Sequence, residues 1–309
     1  MQINICLATN KEYIKPLACT VSSILRNADI ETDLHIFILE NDFSNEDKNK
    51  ILNLKKIKEC EITFIKIQSE YFDNLPGFEE KLSYISKTAF FRFFVAELLK
   101  DTDKIIYLDS DVIVLHDLKD LFMQDIQNYY IAAVEDMAYY HNLNNNKVKC
   151  FNTYVNSGVL LMNLSLWRKD HLSSKIFDTI KEKYKDFIYL DQDALNIVCK
   201  NKIKLLDFSY NIQVDSLKPR ILLKHPKKQE IKESLKKAKI IHYISDKKPW
   251  NYFGYIPLKK YYLHYEKLTP FKTIFELSLK SKIKFFIEKL YFKSIFFPII
   301  REHIRYLLK

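Results

Sequence analysis

Glycine is nearly missing from this 309-residue chain, which has Gly77, Gly158 and Gly254 and no others. Three scattered glycines cannot spell GxGxxG or GxxxxGK[ST], so a glycine-rich phosphate loop is excluded. Cysteine is sparse: Cys6, Cys19, Cys60, Cys150 and Cys199 stand singly, with no CxxC. An odd number of isolated thiols fits a reduced cytosolic protein better than a disulfide frame or a zinc site. No apolar run reaches the ~18 residues that would span a bilayer. The opening residues, MQINICLATN, carry neither the basic start nor the long apolar stretch of a signal peptide.

What remains is a basic, hydrophobic chain: net charge +10, pI about 9.1, 48% hydrophobic and 14% aromatic residues. That is enough apolar material for one large α/β domain with an appendage. The charge points to nucleic acid, an anionic membrane or anionic small substrates, without choosing among them. Short apolar runs at Ile3–Ala8, Leu34–Leu39 and Ile62–Ile67 read as strands. Between the first two, helical spacing covers Tyr13–Asn27, and Ser44 with Asp47 forms a capping box opening a further helix. This β-α-β-α-β order predicts a parallel sheet of the nucleotide-binding kind. Pro76-Gly77 marks a loop, and Ser86 caps a helix predicted over Lys87–Leu99. Tyr130–Val134 and the run after Gly158 are further strands. A polar, aromatic segment lies between them at Asp136–Asn152.

The most informative stretch is Asp103–Leu118, DKIIYLDSDVIVLHDL. Two buried-strand runs are separated by Asp109-Ser110-Asp111. Carboxylates one residue apart at a strand's carboxyl end can face one hard cation, Mg²⁺ or Mn²⁺, which shares such ligands with substrate phosphates. A polar turn would use the same residues. Asp191 and Asp193 open a short helix and serve equally well as caps or as site acids. His242 ends a late strand, with Lys248-Pro249-Trp250 six residues on. An imidazole and an ammonium there could meet one anion, or simply pack.

Five segments in this order, LATNKEY, YLDSDVIV, NSGVLLMNL, LDQDALN and HYISDKKPW, resemble glycosyltransferase family 8. The match resembles most its bacterial lipooligosaccharide and lipopolysaccharide galactosyl- and glucosyltransferases, and it covers roughly residues 1–265. The resemblance implies an α/β fold of the GT-A type, a UDP-hexose donor, Mn²⁺ (or Mg²⁺) and retention of anomeric configuration. It implies Asp109, Asp111 and His242 as metal ligands and Lys248 on the diphosphate. Around the nucleotide and donor sugar it implies Ala8, Thr9, Asn10, Tyr13, Arg92, Asp109, Ser110, Asp136, Asn156, Ser157, Asp191, Gln192 and Ser245. Asp191 and Gln192 are the implied catalytic pair. Two departures stand out: Asn10-Lys11-Glu12-Tyr13 replaces an acidic uridine motif, and Ser245 replaces a glycine.

The tail, Phe271–Lys309, holds nine Lys/Arg against three Asp/Glu, +6 of the net charge. Ile283, Phe286, Ile287, Leu290, Tyr291 and Ser294 fall near one helical face, interrupted further on by Pro298. A basic, aromatic amphipathic helix of this kind predicts attachment to an anionic membrane surface. Packing on its own domain is the alternative. The expected division is a catalytic domain over 1–268 and a membrane-association tail over 269–309. The expected protein transfers galactose or glucose from a UDP-sugar to an oligosaccharide or glycolipid acceptor, at the inner face of the cell membrane. A sugar nucleotidyltransferase, which normally carries a glycine-rich loop, is one rival. A non-catalytic basic protein binding membrane or nucleic acid is another. Nucleic acid is not an expected partner, because the charge concentrates in the tail and no nucleic-acid motif is present.

Overall fold

A computed structural model of the chain describes residues 1–68, 87–139, 153–273 and 279–293. Pro76-Gly77, the Ser86 cap, residues 140–152 (with Cys150) and the tail beyond Lys293, Ser294 and Pro298 included, lie outside these residues.

The apolar runs become two sheets. The larger has seven strands: β1 (Gln2–Ala8), β2 (Asp33–Glu40), β3 (Glu61–Lys66), β4 (Lys104–Asp109), β6 (Ile131–Glu135), β7 (Val155–Asn163) and β8 (Ile203–Leu205). Their order is β3-β2-β1-β4-β7-β6-β8. β1 pairs in parallel with β2 and β4, but β7 runs antiparallel to both neighbours. The sheet is therefore mixed rather than purely parallel. The smaller sheet, β5-β10-β9, joins β5 (Val112–Val114) to β10 (Ile240–His242) and β9 (Ile212–Gln213).

This arrangement places the site. β1 leads to β2 on one side while β4 lies on the other, so the crevice beyond β1 and β4 is a topological switch point, where open α/β sheets bind ligands. The register sets Ala8 opposite Asp109. The first helix, Ile14–Asn27, is buried along most of its length and pins the next turn of chain. Thr20 donates to the carbonyls of Ser110 (3.0 Å) and Val112 (2.8 Å), and Val114 N donates to Ser23 Oγ (2.9 Å).

The predicted capping box forms as written, with Ser44 and Asp47 each accepting from the other's backbone N–H. The helix predicted over Lys87–Leu99 does not. Lys87–Phe94 is a 3₁₀ helix, and only Val95–Leu98 is α. Three residues per turn bring Phe90 edge-on to Phe93, both fully buried, with ring centroids 6.1 Å apart. Phe94 is only partly covered.

The terminal helix, Leu279–Lys293, packs chiefly through residues outside the face read from the sequence. Glu288 accepts from Tyr252 Oη (2.6 Å) and from Tyr255 N (2.9 Å), and the rings of Phe285 and Phe292 lie against Tyr255. Ile283, Phe286 and Ile287 remain 40–59% exposed. No helix among the described residues is long and apolar enough to cross a membrane.

Candidate active site

β4 ends at Asp109, and the Ser110-Asp111 turn leads directly into β5 in the other sheet. Ser110 Oγ donates to Ala8 O (2.8 Å), and Thr9 N donates to Leu39 O (2.9 Å), so Ala8, Thr9 and Ser110 meet at the switch point. β10 pairs His242 with Val112, and Tyr243 N donates to Asp111 O (3.0 Å). Residues far apart in sequence are thus fixed by two strand registers.

Asp109, Asp111 and His242 each present a ligand atom within 4.8 Å of the others. His242 Nε2 lies 3.2 Å from Asp111 Oδ1 and 3.8 Å from Asp109 Oδ2. Asp111 Oδ1 is buried without a hydrogen-bond partner among the described residues. A Cβ on Gly158 would come within 2.2 Å of His242 Cε1 and 2.6 Å of Asp109 Oδ2. Glycine is therefore required by the space against His242 and Asp109, not by a turn. Two carboxylates and an imidazole fit a hard or borderline divalent cation such as Mn²⁺ or Mg²⁺.

Two buried cations flank the acids. Lys248 Nζ donates to Asp111 Oδ2 (2.6 Å) and to Tyr243 O (2.6 Å). Burial alone would raise the Asp111 pKa, but Lys248 and His242 together outweigh it and hold the carboxyl well below its usual range. Arg92 reaches Asp109 Oδ1 (3.0 Å) and Asp191 Oδ2 (3.5 Å) and lies over the Tyr107 ring at 4.9 Å. Its Nη1 also donates to Ser157 O. Burial works against this guanidinium's charge, yet Asp109 and Asp191 raise its pKa above the ordinary value. Burial pushes the carboxyls of Asp191 and Asp136 up.

The donor-sugar candidates form one amide network. Ser157 N and Asn156 Nδ2 both donate to Gln192 Oε1 (3.0 Å each), and Gln192 Nε2 donates to Asp136 Oδ2 (3.0 Å). Asp191 and Gln192 sit in the first turn of the helix Leu190–Cys199. Asn196 clamps this helix to β7 through Val155 N and O, 2.8 Å each. Asp193 instead accepts from Tyr154 Oη, Ile188 N and Tyr189 N at 2.6–2.7 Å, the structural one of the two helix acids.

Asn10 Oδ1 accepts from Tyr13 N (3.2 Å), and the Tyr13 ring meets Trp250 edge-on at 5.7 Å. Ser245 adopts φ 79°, the left-handed region that favours glycine. Ser245→Gly should therefore stabilise the fold by about 1 kcal/mol. Thermal unfolding would show this as a rise in Tm of about 2 °C. A lower Tm would mean that the Ser245 hydroxyl has a packing role outweighing the backbone term.

Three contributors escaped the sequence reading. Tyr107 donates to Asp109 Oδ1 (3.1 Å), and a tyrosine inside a buried strand, needing a partner for its hydroxyl, was the available signal. Thr20 and Asn211 gave none. Asn211 Oδ1 lies 3.1 Å from His242 Nδ1.

A mixed α/β sheet with paired acids at its switch point is an architecture of the GT-A type. The glycosyl transferase family 8 model matches residues 4–254, and the chain belongs to that family. General stress protein A of Bacillus subtilis is 27% identical over 280 residues, 88% of this chain and 96% of that protein. The lipopolysaccharide 1,3-galactosyltransferase of Salmonella typhimurium is 26% identical over 282 residues, 87% and 79% of the two chains. Among solved structures, the galactosyltransferase LgtC with donor and acceptor sugar analogues shares the fold. Its TM-score is 0.75 at 22% identity, covering 91% of this chain and all of that one.

Proposed function

We propose that this family 8 protein is a retaining hexosyltransferase. It takes galactose or glucose from a UDP-sugar, with Mn²⁺ or Mg²⁺ bound by Asp109, Asp111 and His242. One observation carries the reading: in a family 8 chain, two carboxylates and an imidazole converge at the switch point around a buried, unpartnered Asp111 oxygen. The bound cation supplies Lewis-acid stabilisation of charge on the departing diphosphate.

The chain's own residues do the rest. Tyr13 and Asn10 receive the uracil, beside Ala8 and Thr9. Lys248 leaves Asp111 and binds the diphosphate, adding a fixed positive charge where negative charge develops. Arg92 holds Asp109 and Asp191 in place. Asp136, Asn156, Ser157, Asp191 and Gln192 surround the sugar and stabilise its oxocarbenium-like character. Asp191 is engaged by Arg92, and the carboxamide oxygen of Gln192 already accepts two N–H groups. Neither oxygen is set up as a nucleophile, which supports same-face attack by the acceptor over a covalent glycosyl-enzyme.

Lys248 has opposite effects on its two partners, and this is testable. In Lys248→Ala, Mn²⁺ binding without nucleotide should tighten about tenfold, because a cation leaves Asp111. UDP binding should weaken about 10–100-fold, the loss of a charged hydrogen bond. Isothermal titration of each ligand checks both; movement in the same direction would remove Lys248 from the diphosphate.

The acceptor side of this proposal rests on a cavity of about 280 Å³ beside the 243–248 loop, lined among others by Val214, Lys218, Ile244, Lys247, Tyr255 and Tyr291. Its aromatic and cationic walls suit an oligosaccharide or glycolipid acceptor of the lipooligosaccharide or lipopolysaccharide kind. Residues 1–268 are then the catalytic domain and 269–309 the tail. Exposed Ile283, Phe286 and Ile287, with Lys282 and Lys284 alongside, support a membrane-facing side for that tail.

The test is hydrolysis of a panel of UDP- and GDP-sugars with Mn²⁺ and with EDTA. The proposal expects one UDP-hexose to be consumed, only with metal. Consumption of a GDP-sugar, or turnover unaffected by EDTA, would overturn it.

A further inference from the structure

The orientation of three side-chain amides can be deduced from two backbone N–H groups. Gly158 N donates to Asn156 Oδ1 (3.1 Å), so that atom is the oxygen and Asn156 Nδ2 faces Gln192. Ser157 N donates to Gln192 Oε1 (3.0 Å), which fixes the second amide. The Asn156 oxygen takes a further donor, Asn211 Nδ2, at 2.9 Å. Asn211 must then turn its own oxygen to His242 Nδ1, 3.1 Å away, where only an N–H can satisfy it. Asn211 is fully buried.

We propose that Asn211 is a positioning residue. It holds His242 as the Nδ1–H tautomer, with the Nε2 lone pair aimed at the Asp109–Asp111 cation site, and ties that imidazole to the donor-sugar amides. An Nε2 lone pair facing Asp111 Oδ1 at 3.2 Å is two acceptors in opposition, which a bound cation or, without metal, a proton on Nε2 resolves. Outer partners of this kind fix ring orientation for metal-bound histidines, and their loss commonly costs 10–100-fold in metal affinity. The chain His242, Asn211, Asn156, Gln192, Asp136 is continuous, so a shift at one end displaces the other. The inference rests on the metal-site reading for its consequence, but the tautomer is a property of the protein alone.

The experiment compares wild type, Asn211→Ala and Asn211→Asp by three readouts. Imidazole ¹⁵N NMR at alkaline pH without metal reports the His242 tautomer. Mn²⁺ titration followed by electron paramagnetic resonance reports affinity. UDP-hexose hydrolysis reports the donor site. Wild type should show Nδ1–H. Asn211→Ala should shift His242 toward Nε2–H and weaken Mn²⁺ binding 10–100-fold. Asn211→Asp, nearly isosteric, still accepts from Nδ1–H, so the tautomer should persist and Mn²⁺ affinity stay within about threefold. It cannot donate to Asn156, so its turnover should fall at least about tenfold.

Nε2–H in wild type would overturn the inference. So would Asn211→Asp losing the tautomer, or a folded Asn211→Ala that keeps both tautomer and affinity. If wild type shows Nδ1–H but binds no Mn²⁺, the metal reading fails while the role of Asn211 at His242 stands.

Discussion

Asp111→Asn should lower metal-dependent turnover of the UDP-hexose by about 10³-fold, the cost of losing an electrostatic stabiliser in a water-poor site. The carboxylate has two tasks here. Its Oδ1 is the unpartnered oxygen of the proposed cation site, and its Oδ2 holds Lys248 at 2.6 Å. A carboxamide keeps the shape but loses the charge, so both the cation and the ammonium lose their partner. Lys248 and His242 together hold the Asp111 pKa below that of an unfolded aspartate, so the ionised form stabilises the fold above the ordinary carboxylate range. That contribution is lost as pH falls through the lowered value. The substitution should abolish it at neutral pH, so a lower Tm at pH 7 that converges with wild type in acid is expected. Steady-state hydrolysis and thermal unfolding across pH check the two parts. Turnover within tenfold of wild type would remove Asp111 from the metal site.

Gly158→Ala should be nearly as damaging, though it adds one carbon and removes no functional group. The added Cβ would meet His242 Cε1 at 2.2 Å and Asp109 Oδ2 at 2.6 Å. β7 is held on both edges by β4 and β6, so its backbone has little room to retreat. The imidazole must move by about 1 Å, and a displacement of that size costs about 10²-fold in rate. Overpacking should also destabilise the fold by about 1–3 kcal/mol. Turnover and Mn²⁺ affinity should both fall while the variant remains folded by circular dichroism. Unchanged Mn²⁺ affinity would show that His242 does not coordinate.

How far the sequence carried this site depended on whether a residue's role was local. Asp109 and Asp111 end an apolar run, and that pattern is visible in one dimension. Ser44 and Asp47 cap each other three residues apart, so they too were legible. The helix expected over Lys87–Leu99 failed because a run of phenylalanines satisfies a three-residue period as readily as a 3.6-residue one. The parallel order expected from the first three strands holds, whereas the antiparallel direction of β7 was not legible, because strand direction is set by connections, not composition. Asn211 and Thr20 were invisible, since each acts through a strand or helix that only tertiary register brings to the turn. In the tail, the helix packs through Phe285, Glu288 and Phe292, which lie on the side away from the face read from the sequence and meet Tyr252 and Tyr255.

The most direct measurement is Mn²⁺ titration of the wild-type protein by electron paramagnetic resonance, with and without UDP, alongside His242→Ala. A metal–diphosphate centre at Asp109, Asp111 and His242 predicts one Mn²⁺ site, tightened at least tenfold by UDP and lost in the variant. No bound Mn²⁺ in the presence of UDP, or binding indifferent to His242→Ala, would contradict it.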